Sequence, residues 1–254
     1  VRRSNGYIII FTAILTIVVG GLLSLTSLVL GPAQKKSIEL DTKSQILSAV
    51  MQIQKGDDIL DIYRKRIQSV VVDARGNEIT TDEKGKPIQA ENIDIAKNFK
   101  KTRENRQYPV FKFMNKENEL QVDAYILPIY GNGLWDKVWG FVAVDEKFES
   151  IVGVSFAHKA ETPGLGARIA TTEIQTRFEG KKILNEAGEV VSVTMQKGEK
   201  GGGQASIDAF AGKPHQVDGM SGATLTAKGV NNMMLDYLTS YKPYFEKVKS
   251  QVSL

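Results

Sequence analysis

From Tyr7 to Leu30 the chain runs without a charge or a proline. Twenty-four such residues at about 1.5 Å each predict a helix of roughly 36 Å, enough for a hydrocarbon core of about 30 Å. A secretory signal would have an apolar stretch of only about 7–15 residues, and Gly31-Pro32-Ala33 makes a poor cleavage site, so the reading is a transmembrane anchor. Beyond it the pattern changes. Asp41 can cap a helix through LDTKSQILSAVMQI, and DDILDIYRKRI repeats its apolar positions at helical spacing. SVVVDARGNEITTDEKGKPI predicts short strands with turns at Gly76 and Gly85. Apolar and polar residues then alternate at YPVFKFM, LQVDAYILPIY, VWGFVAVD, IVGVSFAH and VVSVTM, which predicts strands of one twisted antiparallel sheet. TTEIQTRF opens with the form of a capping box, Thr172 to Gln175. Val230, Met233, Met234, Tyr237, Leu238 and Tyr241 mark a last helix that starts close to Thr226 and packs one face inward. The predicted class is α+β: a membrane anchor over 1–34, with its spanning helix at 7–30, and one mixed domain over 35–254 with a twisted antiparallel sheet and flanking helices.

Composition narrows the chemistry by exclusion. The absence of cysteine removes disulfides, zinc-thiolate sites, iron–sulfur clusters and thiol nucleophiles. Lys and Arg number 33 against 29 Asp and Glu. Setting aside Arg2 and Arg3, which precede the apolar stretch, leaves 31 against 29, and a near-neutral body lacks the basic face that nucleic acid requires. Arg2 and Arg3 before the span balance Lys35 and Lys36 after it, so charge alone gives no orientation. The preferred topology has the amino terminus inside and the body outside the cytoplasm. The glycine-rich 198–204 segment reads as a mobile surface loop, because no Lys-Ser/Thr follows it and no strand-to-helix step frames it as a phosphate cradle.

The sharpest local signal precedes the last helix, at Ser221-Gly222-Ala223-Thr224. Small residues allow a sharp turn and leave the flanking hydroxyls unobstructed, while a helix start supplies free N–H groups and a positive dipole end. From these residues alone a phosphate site and an ordinary Ser/Thr-rich cap are both open. The longer pattern D-x-x-S-G-A-T, Asp218 to Thr224, resembles the recognition sequence of the bacterial flavin transferase. His158 to Gly166, HKAETPGLG, resembles the loop of FMN-binding domains in membrane electron-transport complexes. Gly131-Asn132-Gly133-Leu134-Trp135, followed by Trp139-Gly140-Phe141, is similar to the G-x-G-L-W segment of the C-subunit family of sodium-translocating NADH:quinone reductases, as is the early LDTKSQIL. The paralogous G subunit of the Rnf complex is the nearest alternative.

That resemblance implies FMN joined by a phosphoester to Thr224. Ser221 and Thr226 are then expected to donate to phosphate oxygens, while Gly222 and Ala223 keep the approach clear. Thr162, Gly164, Leu165 and Gly166 would lie against the isoalloxazine, and Glu161 would be either a ligand there or a turn residue. Asp218 would serve the transferase rather than the finished flavin, whose phosphodiester it would repel. Trp135 and Trp139 would pack in core or loops, or else flank the ring. The implied activity is electron transfer from NADH oxidation towards quinone, coupled to sodium export, with no catalytic acid or base of the chain's own and no metal site. The implied partners are the other subunits, the transferase during maturation and membrane lipid, with the body on the periplasmic side of a bacterial inner membrane. Two rival classes arise from the residues alone. A serine hydrolase would recruit His158 or His215 to Ser221, but S-G-A-T is not a nucleophile elbow. A membrane-anchored interaction protein without cofactor is the other.

Overall fold

The structure, a computed structural model, describes residues 4–82 and 85–252, with the side chain of Val252 left aside. Arg2 and Arg3, and Glu83 and Lys84 of the turn expected before Gly85, lie outside the described residues. The chain divides into two units, Val1–Lys43 and Ser44–Leu254.

The first unit holds most of a single helix, α1 (Asn5–Ser48), which runs through Pro32 rather than ending before it. Proline there removes one donor but the helix continues past it, so the separate helix expected from Asp41 is the last stretch of α1. Its Ile8, Ile9, Leu22, Leu23 and Leu28 are exposed. It is long and apolar enough to cross a membrane.

The second unit is built on an antiparallel meander, in the order β1 (Ile67–Val72), β2 (Tyr108–Met114), β3 (Val122–Asn132), β4 (Lys137–Asp145) and β5 (Ile151–His158). Alternation sorts their side chains into two cores. Leu127, Ile129, Val138, Val142, Val154 and Phe156 meet Val230, Met233, Met234, Tyr237, Leu238 and Tyr241 of the long last helix. Phe111, Phe113, Ile126, Phe141 and Ala143 on the other face meet Ile46, Leu47 and Tyr63, the last from α2 (Ile59–Arg66), which Asp58 caps through the Asp61 N–H. The short helix α3 (Ile95–Phe99) lies before β2.

Two expectations fail locally, the sheet strand at VVSVTM and the capping box at Thr172. VVSVTM does not join the sheet: Ser192 sits at φ 62°, and only β6 (Thr194–Met195) forms, paired in parallel with β7 (Gln216–Val217). The helix at TTEIQTRF forms as α4 (Thr172–Gln175) and continues as a 3-10 turn over Thr176–Phe178, but the residue before it, Thr171, makes no side-chain cap. Its hydroxyl donates instead to the Arg168 carbonyl at 2.7 Å, so the capping box is absent. Residues 204–208 form a further short helix, α5 (Gln204–Asp208). The last helix, α6 (Thr224–Val252), begins at Thr224, two residues earlier than its apolar periodicity indicated.

Candidate functional site

Three loops meet at the start of α6: the β3–β4 turn around Leu134 and Trp135, the stretch after β5 from Glu161 to Gly166, and Ser221 to Thr224. Glu161 joins them. Its side chain is turned inward, 4% exposed. One carboxylate oxygen accepts from the Leu134 N–H at 2.8 Å and the Trp135 N–H at 3.1 Å. The other accepts from the Thr226 hydroxyl at 2.5 Å. A Cβ at Gly133 would overlap the first oxygen, and one at Gly166 would lie 2.5 Å from the second. Both glycines are therefore required by close approach to the carboxylate.

The expected phosphate donors separate accordingly. Thr224 and Ser221 are exposed on the first turn and the approach to it. Thr226 is 1% exposed and its hydroxyl is committed to Glu161, so it acts inside the fold and does not face outward with Thr224. Gly222 and Leu165 are in contact: a Cβ on Gly222 would come within 2.8 Å of the leucine Cδ2. Leu165 nevertheless keeps 41% exposure, and Leu225 and Trp135 keep 57% and 69%. Trp135 is held by its indole N–H, which donates to the Thr162 hydroxyl at 3.1 Å. The result is an exposed apolar side chain on each of the three segments that Glu161 joins, Trp135, Leu165 and Leu225, the last next to the exposed Thr224. Trp139 belongs elsewhere. It stacks on Tyr130 and lines a cavity of about 310 Å³ with Ile95, Ala96, Pro128 and Phe141, on the sheet face opposite α6.

The glycine-rich segment is tied down rather than loose. Asp218 is buried, accepting from the Lys200 N–H and the Ser206 hydroxyl, both at 2.8 Å, and from the Gly219 N–H at 3.0 Å. This aspartate, expected to face the transferase, is an interior strut in the folded chain. Glu199 accepts from Arg168 at 2.7 Å, Arg177 at 2.8 Å and the Ser221 N–H at 3.1 Å. Glu173 joins both arginines, and Arg177 reaches the Gly219 carbonyl at 2.6 Å. The hydrogen bond from Arg168 draws the Glu199 carboxyl down from 4.5 to about 2. Two arginines against two glutamates leave this support neutral. Neither histidine is bonded to Ser221: the His158 ring accepts from the Glu161 N–H at 3.3 Å, and the His215 ring meets the Lys182 carbonyl at 2.7 Å.

The motif segments therefore come together in space, and a comparison of the chain with known proteins places the same stretch. A family model described as FMN-binding domain matches residues 133–239, from the Gly133 turn through most of α6. The C subunit of the Na(+)-translocating NADH-quinone reductase of Haemophilus ducreyi is 30% identical over 93% of this chain and 91% of its own length. That of Neisseria meningitidis serogroup B is 32% identical over 87% and 85%. The crystal structure of the corresponding subunit from Parabacteroides distasonis matches with a TM-score of 0.67 and 31% identity, covering 84% of this chain and 94% of that one. Residues 133–239, which contain these three loops, thus form an FMN-binding domain. The chain belongs to the C-subunit family of the Na(+)-translocating NADH-quinone reductases.

Proposed function

We propose that Thr224 carries FMN through a phosphoester, and that this subunit relays electrons from NADH oxidation towards quinone within a sodium-exporting membrane complex. The observation that carries the reading is the exposed Thr224 in the first turn of a 29-residue helix, next to the half-exposed Leu225 and two residues after Gly222, which Leu165 touches. First-turn N–H groups have no partners within the helix and suit phosphate oxygens. Leu165, Leu225 and Trp135 offer apolar surface for a flat ring, and Ser221 a further hydroxyl. When bound, FMN supplies the redox chemistry. The chain's own residues hold it in place; electron transfer asks for no proton donor among them.

The partners in this reading are the remaining subunits of the complex, the flavin transferase that esterifies Thr224, and the lipid around α1. The body lies on the periplasmic side of the inner membrane, where an exported transferase meets Thr224. Intact mass with and without coexpressed transferase tests the attachment. Wild-type protein should gain one FMN moiety and a fluorescent band that survives denaturation. Thr224→Ala should lose both, and Ser221→Ala should keep at least part. A full band on Thr224→Ala would overturn the assignment.

A further inference from the structure

The structure contains a buried acid that the proposed electron relay does not itself require. Glu161 lies in the same loop as Leu165, yet its carboxylate is buried in the junction of the three loops. Every group it meets there is a donor: two backbone N–H groups and a hydroxyl. An ionised carboxylate only accepts, and bonds to it are stronger than neutral ones. Its two oxygens serve different segments. One holds the turn that carries Trp135, and the other holds Thr226, two residues after the attachment threonine. A negative charge there also lies at the positive end of α6.

We propose that Glu161 is the positioning residue of the attachment site: its buried carboxylate locks the first turn of α6 to the Trp135 turn and to its own loop, fixing how the flavin ring is held. The proposal rests on the function given above. It assigns Glu161 no contact with flavin. The glycines at 133 and 166 are part of the same device, because side chains there would occupy the space of the carboxylate.

Glutamine and alanine separate positioning from simple loss of charge. In Glu161→Gln the amide oxygen can keep the Leu134 and Trp135 N–H groups, and the amide N–H can donate to the Thr226 hydroxyl, which is able to turn and accept. Glu161→Ala leaves all three donors without a partner. Full-length protein coexpressed with the transferase would be compared by covalent flavin per chain, visible circular dichroism of the flavin, and midpoint potential. Glu161→Ala should keep the covalent flavin but lower the docked-to-undocked ratio of the ring about tenfold, the size of effect expected from losing a charge-assisted hydrogen bond, with a matching loss of flavin dichroism. Glu161→Gln should restore most of the dichroism while shifting the potential upward, since a negative charge near the ring has gone.

Parent-like dichroism and potential in Glu161→Ala would overturn the proposal. So would equal damage from Ala and Gln, which would assign the effect to charge alone. Should Glu161→Ala fail to fold, Thr226→Val decides: it removes one donor at constant shape, and dichroism equal to the parent's refutes positioning. Absence of covalent flavin from the wild type would instead defeat the functional reading. Trp135 fluorescence in a Trp139→Phe background then tests the clamp by itself. Acrylamide quenching should rise on Glu161→Ala if the clamp positions the turn, and unchanged quenching would refute it.

Discussion

Leu165 offers the most direct test of where the ring lies. It is packed on one side against Gly222 and left 41% exposed on the other. Full burial of a leucine is worth about 1.5–3 kcal/mol. The exposed 41% leaves about 0.6–1.2 kcal/mol for a ring to recover, a factor of about three to eight in its docked-to-undocked ratio. Leu165→Ala removes that contact without touching Thr224. The fluorescent band in a denaturing gel should therefore persist at parental intensity. The native absorption spectrum should move towards that of free flavin, and the reduction potential should shift. Gly164→Val should do more. Gly164 has φ +74° with open space around it, so the harm is backbone strain of about 1–3 kcal/mol rather than crowding. The strain would be relieved by moving the loop. Parent spectra and potentials in both variants would refute the reasoning and place the 161–166 loop away from the cofactor.

Two other expectations concern the frame around the site. Carboxy-terminal fusions should be active with a periplasmic reporter and silent with a cytoplasmic one; the reverse pattern would deny an exported transferase access to Thr224. Acid should loosen the support under Ser221. Glu199 titrates at about 2 when folded against 4.5 in a free chain, so its contribution is complete above about 4.5 and is lost as pH falls from there towards 2. Denaturant unfolding across that interval should show a shallower acid decline in Glu199→Gln than in the parent, and identical slopes would remove Glu199 from the account.

Much of the sheet was legible because its strands alternate over long runs: β5 spans the whole of IVGVSFAH, and β2 the whole of YPVFKFM. Legibility fails where a distant residue overrides a local pattern. VVSVTM alternates, but Ser192 takes a positive φ, Val190 bridges back to Leu184, and only Thr194–Met195 pairs as a strand, with the two-residue β7 before Asp218. The glycine-rich segment looked unanchored because Asp218, Glu173, Arg168 and Arg177, which hold it, come from other segments. The apolar stretch ends at Leu30, yet α1 continues through Pro32 to Ser48. At the site, motif resemblance picked out the exposed members, Thr224, Ser221 and Leu165. It did not reveal that Glu161 and Thr226 point inward to each other. Spacing along the chain carries no information about such a contact across 65 positions. The available hint was the placement of Gly133 and Gly166, residues whose smallness makes sense only beside a third group.

The same geometry bears on how a carrier can be both open and rigid. On the proposed function, a redox group that exchanges electrons with neighbouring subunits needs an accessible edge, and Leu165, Leu225 and Trp135 are left to solvent. Exposed loops are usually the least ordered part of a fold, which would blur the separation between donor and acceptor. Here the order comes from below. The Glu161 carboxylate fixes one side of the α6 start through Thr226, and the Glu199 carboxylate fixes the other through the Ser221 N–H. Thr224 lies between these two anchored positions. Apolar packing could not supply this restraint without covering those side chains, whereas buried acceptors meeting backbone and hydroxyl donors restrain the loops from inside. On the proposed function, the division of labour follows: apolar side chains outside for the ring, and carboxylates inside for its support.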